Sequence, residues 1–190
     1  PSRRSRRHVA RAALQMLGGT YGRRVVVIAG KGNNGRDGAV AARLLRARGC
    51  RVTVVDAAAE ATVPPCDLVI DAAYGTGFRG SYRSPAPAGV PVLAVDIPSG
   101  VDGLTGVASG RPAVAEHTVT FAALKPGLLY ADGAATVGTT MVADIGLDVS
   151  GARAHVVEDG DLGRLLRPRP VDAHKWNAAV WVVGGTPDMA

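Results

Sequence analysis

The stretch that most constrains the fold is Val25-Val26-Val27-Ile28-Ala29-Gly30-Lys31-Gly32-Asn33-Asn34-Gly35-Arg36-Asp37-Gly38. A β-branched apolar run breaks into a glycine-rich loop, and the pattern then predicts a helix over 39–48. That order suits a phosphate or nucleotide site, because glycines admit the ligand close to the backbone and free N–H groups at a helix start face an anion. Two amides and a carboxylate inside the loop point to more than a phosphate cradle. The loop is not of the Walker type, which ends Gly-Lys-Ser/Thr, since Lys31 is followed by Gly32 and Asn33. Gly30, Gly32 and Gly35 satisfy the dinucleotide spacing Gly-x-Gly-x-x-Gly, and Asp56 follows the next apolar run near the acidic position that pattern expects. A tight turn without ligand satisfies the same spacing.

At 190 residues the chain suits one α/β domain with a little more attached. Short apolar runs predict strands at 25–29, 52–55, 67–71, 91–96 and 117–121, with another near 140–144, and a helix over 8–17. Two runs, 25–29 and 92–95, are continuously apolar rather than alternating, as in strands covered on both faces. The expected fold class is therefore α/β, a three-layer αβα Rossmann-like sandwich with a mostly parallel central sheet. Between Asp71 and Val90 the glycines and prolines leave no room for a crossover helix, so an ordered loop is expected there.

The formal charge of +6 is local. Residues 1–24 hold seven arginines and no acid, leaving 15 basic and 16 acidic residues for the rest. This describes a basic N-terminal segment rather than a basic folded face, and aromatics make up only 4% of the chain, which argues against nucleic-acid binding. No run of eighteen apolar residues and no apolar signal core occur, so neither a membrane span nor secretion is expected. Cys50 and Cys66 lack metal-like spacing, in keeping with a reduced, cytoplasmic protein.

Two further apolar runs end in an acid followed by a glycine-bearing loop, at Asp71-Ala72-Ala73-Tyr74-Gly75-Thr76-Gly77 and at Asp96-Ile97-Pro98-Ser99-Gly100. In open α/β sheets ligands sit at the carboxyl ends of strands, so Asp37, Asp71 and Asp96 can converge on one crevice. With Thr120-Phe121-Ala122-Ala123-Leu124-Lys125-Pro126-Gly127-Leu128 and the Gly30–Gly38 loop, these segments resemble the NAD(P)H-hydrate epimerase family, the YjeF N-terminal domain, over roughly residues 20–150. The resemblance implies a metabolite-repair isomerase that interconverts the R and S forms of hydrated NADH and NADPH. It implies substrate contacts from Asn33, Asn34, Gly35, Arg36 and Asp37, from Gly75, Thr76, Gly77, Phe78, Arg79, Gly80 and Ser81, and from Asp96. It also implies one potassium ion per subunit at Asn34, Asp71 and Ser99, whose oxygens are hard ligands suited to such a cation. Asp96 is the candidate catalytic acid/base; Lys125 fits either a phosphate contact or a structural role. Dimerisation is a further family expectation.

Two departures stand out. Family members usually begin with another helix carrying a Met-Glu-x-Ala-Gly-like segment; this chain is expected to start after it, lacking part of the substrate wall. Arg36 replaces the usual glycine. Beyond residue 150, residues 151–170 read as a linker containing Pro168-Arg169-Pro170. The run from His174 to Gly185 resembles the first strand of the ADP- or ATP-dependent NAD(P)H-hydrate dehydratase, so residues 171–190 are expected to be only the start of that ribokinase-like domain, without its activity or its nucleotide. Two other classes stay open: a non-catalytic dimerisation scaffold of the same fold, and an NAD-dependent oxidoreductase, for which no hydride-accepting site is evident.

Overall fold

The computed structural model describes residues 3–58, 62–165, 171, 172 and 174. The chain forms two compact units, residues 1–150 and 151–190. In the first, six strands build one sheet, β1 (Arg24–Ala29), β2 (Arg51–Asp56), β3 (Leu68–Ala72), β5 (Val92–Val95), β7 (His117–Phe121) and β8 (Thr139–Ala143). Two-residue strands β4 (Tyr82–Arg83) and β6 (Gly110–Arg111) pair separately. The large sheet runs β2-β1-β3-β5-β7-β8 with every pairing parallel.

Continuous apolar runs are what this sheet requires. Side chains alternate faces along a strand. Val25, Val27, Leu68, Ile70, Leu93, Val95 and Val119 join one buried cluster, while Ile28, Val69, Val92 and Ala94 join another. The first lies under helices α1 (Arg3–Leu17) and α2 (Asn33–Arg46), which contribute Val9, Ala13 and Leu17, and Ala41, Ala42 and Leu45. α1 stops where Gly18 turns left-handed at φ 61°, a conformation that costs glycine little. The second cluster lies under chain rather than helix: Val63, Tyr74, Phe78, Tyr82, Ala86 and Val90 close that face. Ordered loops among the described residues thus cover this cluster. The expected absence of a helix between β3 and β5 is one reason.

Expected and observed strand bounds differ by one residue at most ends. The helices differ more. α1 begins at Arg3 rather than residue 8, so much of the arginine-rich segment is helical. α2 begins at Asn33, so Asn33 to Gly38, read as loop, form its first turns. A short helix α3 (Ala131–Thr136) precedes β8. In the second unit, α4 (Asp159–Leu165) falls within the expected linker, with Asp159 and Asp161 in its first turn and Arg164 in its last, the arrangement a helix dipole favours. Pro168-Arg169-Pro170, and the expected dehydratase strand apart from His174, lie outside the described residues.

Candidate active site

The strand order dictates where a ligand can bind. From β1 the chain moves outward to β2, then returns across β1 to β3 and continues in that direction. The reversal separates the loops leaving β1 and β3, which opens a crevice at their carboxyl ends. A cavity of about 570 Å³ occupies this place, lined by Gly32, Asn33, Asn34, Tyr74, Gly75–Arg79 and Asp96.

Close backbone approach shapes its floor. A Cβ at Gly30 would collide with the Ala73 carbonyl oxygen, and one at Gly35 with the carbonyl oxygen of Gly30. The two loops therefore need glycine to lie against one another. Asn34, in the first turn of α2, then reaches across: its Nδ2 donates to the carbonyls of Tyr74 at 2.9 Å and Val95 at 2.7 Å. One amide thus ties α2 to the ends of β3 and β5.

Asp71 is fully buried near the end of β3. Its Oδ1 accepts from the Ser99 hydroxyl at 2.7 Å and from Ala73 N–H at 3.3 Å, and its Oδ2 accepts from Ser99 N–H at 2.8 Å. Burial pushes the Asp71 carboxyl above its ordinary value, although the Ser99 and Ala73 donors oppose the shift. Among the described residues no ion pair reaches it. The Ser99 hydroxyl also accepts from Tyr74 N–H at 2.9 Å and lies 3.1 Å from the Tyr74 carbonyl. The Asn34 amide N–H, the Tyr74 carbonyl, the Ser99 hydroxyl and the Asp71 carboxyl therefore form one connected network, whose oxygens surround a buried acid. Hard oxygen donors without a charged partner suit a weakly held monovalent cation. Among the described residues no group of three His, Cys, Asp or Glu offers a transition-metal set.

Asp96 follows β5 in a left-handed conformation, φ 72°, with its N–H donating to the Val119 carbonyl at 2.7 Å. Its Oδ1 accepts from Lys125 Nζ at 2.6 Å and, at 3.4 Å each, from the Thr120 hydroxyl and Phe121 N–H. Tyr74 and Phe78, in the cavity lining, pack with Tyr82: ring centroids are 4.2 Å apart for the first two and 5.2 Å, edge to face, for Tyr74 and Tyr82.

The family model described as YjeF-related protein N-terminus matches residues 3–63 and 55–127. A protein of Limosilactobacillus fermentum named NAD(P)H-hydrate epimerase is 34% identical over 154 residues, covering 64% of this chain and 74% of the relative. The chain belongs to the YjeF N-terminal family. Two longer relatives carry the name bifunctional NAD(P)H-hydrate repair enzyme Nnr. That of Hyperthermus butylicus is 38% identical, covering 88% of this chain and 38% of the relative. That of Escherichia coli is 32% identical, covering 92% of this chain and 42% of the relative. This YjeF-type chain thus spans about two-fifths of the length of the bifunctional relatives. The crystal structure of yeast ynu0, YNL200c, shares the fold at a TM-score of 0.58 and 24% identity, covering 73% of this chain and 75% of that one.

Of the residues expected at the site of this YjeF domain, Asn33, Asn34, Gly75, Thr76, Gly77, Phe78, Arg79 and Asp96 line the cavity, and Asp71 and Ser99 connect to it through Tyr74. Five others do not line it. Gly35 is packed against Gly30, Asp37 is buried one turn into α2, and Arg36 is exposed. Gly80 lines a neighbouring depression with Val101 and Asp102, and Ser81 sits against Gly110. Arg79 leans the same way, 3.9 Å from Asp102. Sequence reasoning missed the Tyr74 carbonyl and Thr120, and it left Lys125 undecided. A backbone carbonyl leaves no trace in residue identity; Thr120 and Lys125 share a segment with recognisable motif residues but point to each other only once the chain is folded.

Proposed function

We propose that this YjeF-type domain epimerises the R and S forms of hydrated NADH and NADPH. The observation that carries the reading is the cavity at the β1/β3 switch point, with the Asp96 carboxylate in its lining and the hydrogen-bonded Asn34, Tyr74, Ser99 and Asp71 network beside it. The names of the family relatives support the substrate. The reaction inverts one carbon of a reduced, hydrated nicotinamide ring with no net redox change and no group lost. A proton must therefore leave the hydroxyl or reach a leaving oxygen, and return after ring opening or water re-addition. Asp96 is the group placed to accept that proton and give it back. The N-terminal turn of α2 and the Gly75–Arg79 loop hold the nucleotide, with Arg79 the cationic side chain in the cavity lining.

Asn34, Asp71 and Ser99 would hold a potassium ion, which when bound supplies a compact positive charge that neutralises the buried Asp71 and attracts the anionic substrate. The scaffold reading is not favoured, because a scaffold needs neither a buried acid nor a carboxylate in a cavity. A cytoplasmic location, consistent with the free thiols of Cys50 and Cys66, a homodimer, and ADP- or ATP-dependent dehydration by the full-length parent complete the proposal. Among the described residues no helix is long and apolar enough to cross a membrane.

The test is epimerisation of purified R-NADHX followed by chromatographic separation of the epimers. Acceleration over the spontaneous rate that Asp96→Asn removes is the expected result. A wild-type rate equal to the spontaneous one would sink the reading.

A further inference from the structure

Lys125 has no assigned role, yet it is among the most constrained side chains near the cavity. An ammonium carries three protons, and here each has an acceptor: Asp96 Oδ1 at 2.6 Å, the Thr120 hydroxyl at 2.7 Å and the Phe121 carbonyl at 2.8 Å. That leaves none to meet a substrate phosphate, the role its position near a nucleotide site first suggests. Freezing a lysine costs side-chain entropy, so three short bonds at a side chain only 20% exposed indicate a placed group.

The backbone on both sides of this contact is strained. Asp96 adopts φ 72° and Ala122 φ 64°, two of only three non-glycine left-handed residues among those described. At Ala122 the Ala123 N–H donates back to the Phe121 carbonyl at 2.8 Å, a tight three-residue turn, and that same carbonyl accepts from Lys125. Strain of this kind persists only where surrounding bonds over-determine it, and it concentrates at functional sites. One turn swings the Asp96 carboxylate toward the cavity; the other brings Lys125 back to meet it.

Among the described residues all the hydrogen bonds reaching the carboxylate end on Oδ1, and none ends on Oδ2. We propose that Lys125 is the positioning residue for Asp96: it clamps Oδ1 against Thr120 and Phe121 and so presents Oδ2 to the reacting ring. This rests on the epimerase reading above, with Asp96 as the proton-transferring group and Lys125 acting through it.

The experiment compares wild type, Lys125→Met, Lys125→Arg, Asp96→Asn and the Met/Asn double variant in two readouts, R-NADHX epimerisation kinetics and crystal structures. Misplacing a catalytic group by about an ångström costs roughly 10²-fold. Lys125→Met is therefore expected to lower kcat by about that factor with KM changed less than about threefold. Lys125→Arg should recover part of the loss, and the double variant should be no slower than Asp96→Asn alone. In the Lys125→Met crystal, Asp96 Oδ1 should leave Thr120 and Phe121. An unmoved Asp96 in that crystal, a KM effect that accounts for the whole loss, or additive losses in the double variant would each overturn the proposal. If the wild type fails to accelerate epimerisation, the epimerase reading falls, and the crystal comparison alone decides whether Lys125 positions Asp96.

Discussion

Asp71 shows how one residue's burial becomes a property of the whole fold. Its carboxyl is raised above the ordinary 3.8 by desolvation, so between 3.8 and the raised value the folded protein holds a proton that the unfolded chain has lost. Stability therefore falls as pH rises through that window, and above it the folded state bears the full cost of a buried carboxylate. A cation bound to the folded site offsets that cost, since a ligand of the native state alone stabilises it. Thermal melts in potassium chloride against tetramethylammonium chloride should show a higher Tm in potassium at neutral pH. The gain should shrink at acid pH, where Asp71 is protonated, and vanish in Asp71→Asn. An equal response of wild type and variant at neutral pH would remove Asp71 from any cation site. At this scale the sequence disclosed the acids but not their bonds. Asp71 and Asp96 are visible as carboxylates closing apolar runs. Their partners Ser99 and Lys125 lie 28 and 29 residues further on, and nothing local says which acid each will meet.

Strands β1 and β5 were legible nearly to the residue because a run apolar on every position, as at 25–29 and 92–95, leaves little choice but a two-sided buried strand. Helix α2 was not, because local chemistry and tertiary geometry disagree in its first turn. Asn33, Asn34, Gly35 and Gly38 are poor helix formers and read as loop. They are helical because Asn34 must reach two neighbouring strand ends and Gly35 must lie against Gly30. Which segments cover the second face of the sheet was not legible either. The long connections from β2 to β3 and from β3 to β5, where described, hold turns and β4, and their apolar residues pack on the sheet.

The two ends of α2 should accordingly respond differently. Leu45→Ala opens a cavity against the sheet and should cost about 2–5 kcal/mol in urea denaturation. Leu45 is eleven residues from Asn34, roughly 16 Å along the helix, so KM should hold while the protein remains folded. Gly35→Ala should lose both stability and turnover, because its Cβ meets backbone that cannot rotate away. Normal turnover in Gly35→Ala would show that the loop tolerates a different path.

At the scale of the whole molecule, the site is anchored in one unit. Both sheet-facing clusters, the cavity lining, the Asp71 cluster and the Asp96–Lys125 pair all draw their residues from the first unit, which ends at Ser150. A parallel sheet holds such a site from below, since each functional side chain stands on a strand end or on the helix or loop that follows it. The part of the site described here should then form without residues 151–190. A chain ended after Ser150 is expected to keep the Tm of the 190-residue protein and its R-NADHX epimerisation rate. Loss of Tm would assign residues 151–190 a share in the stability of the sheet. Loss of rate at unchanged Tm would assign them a share in the site itself, and the cavity described here would then be only part of it.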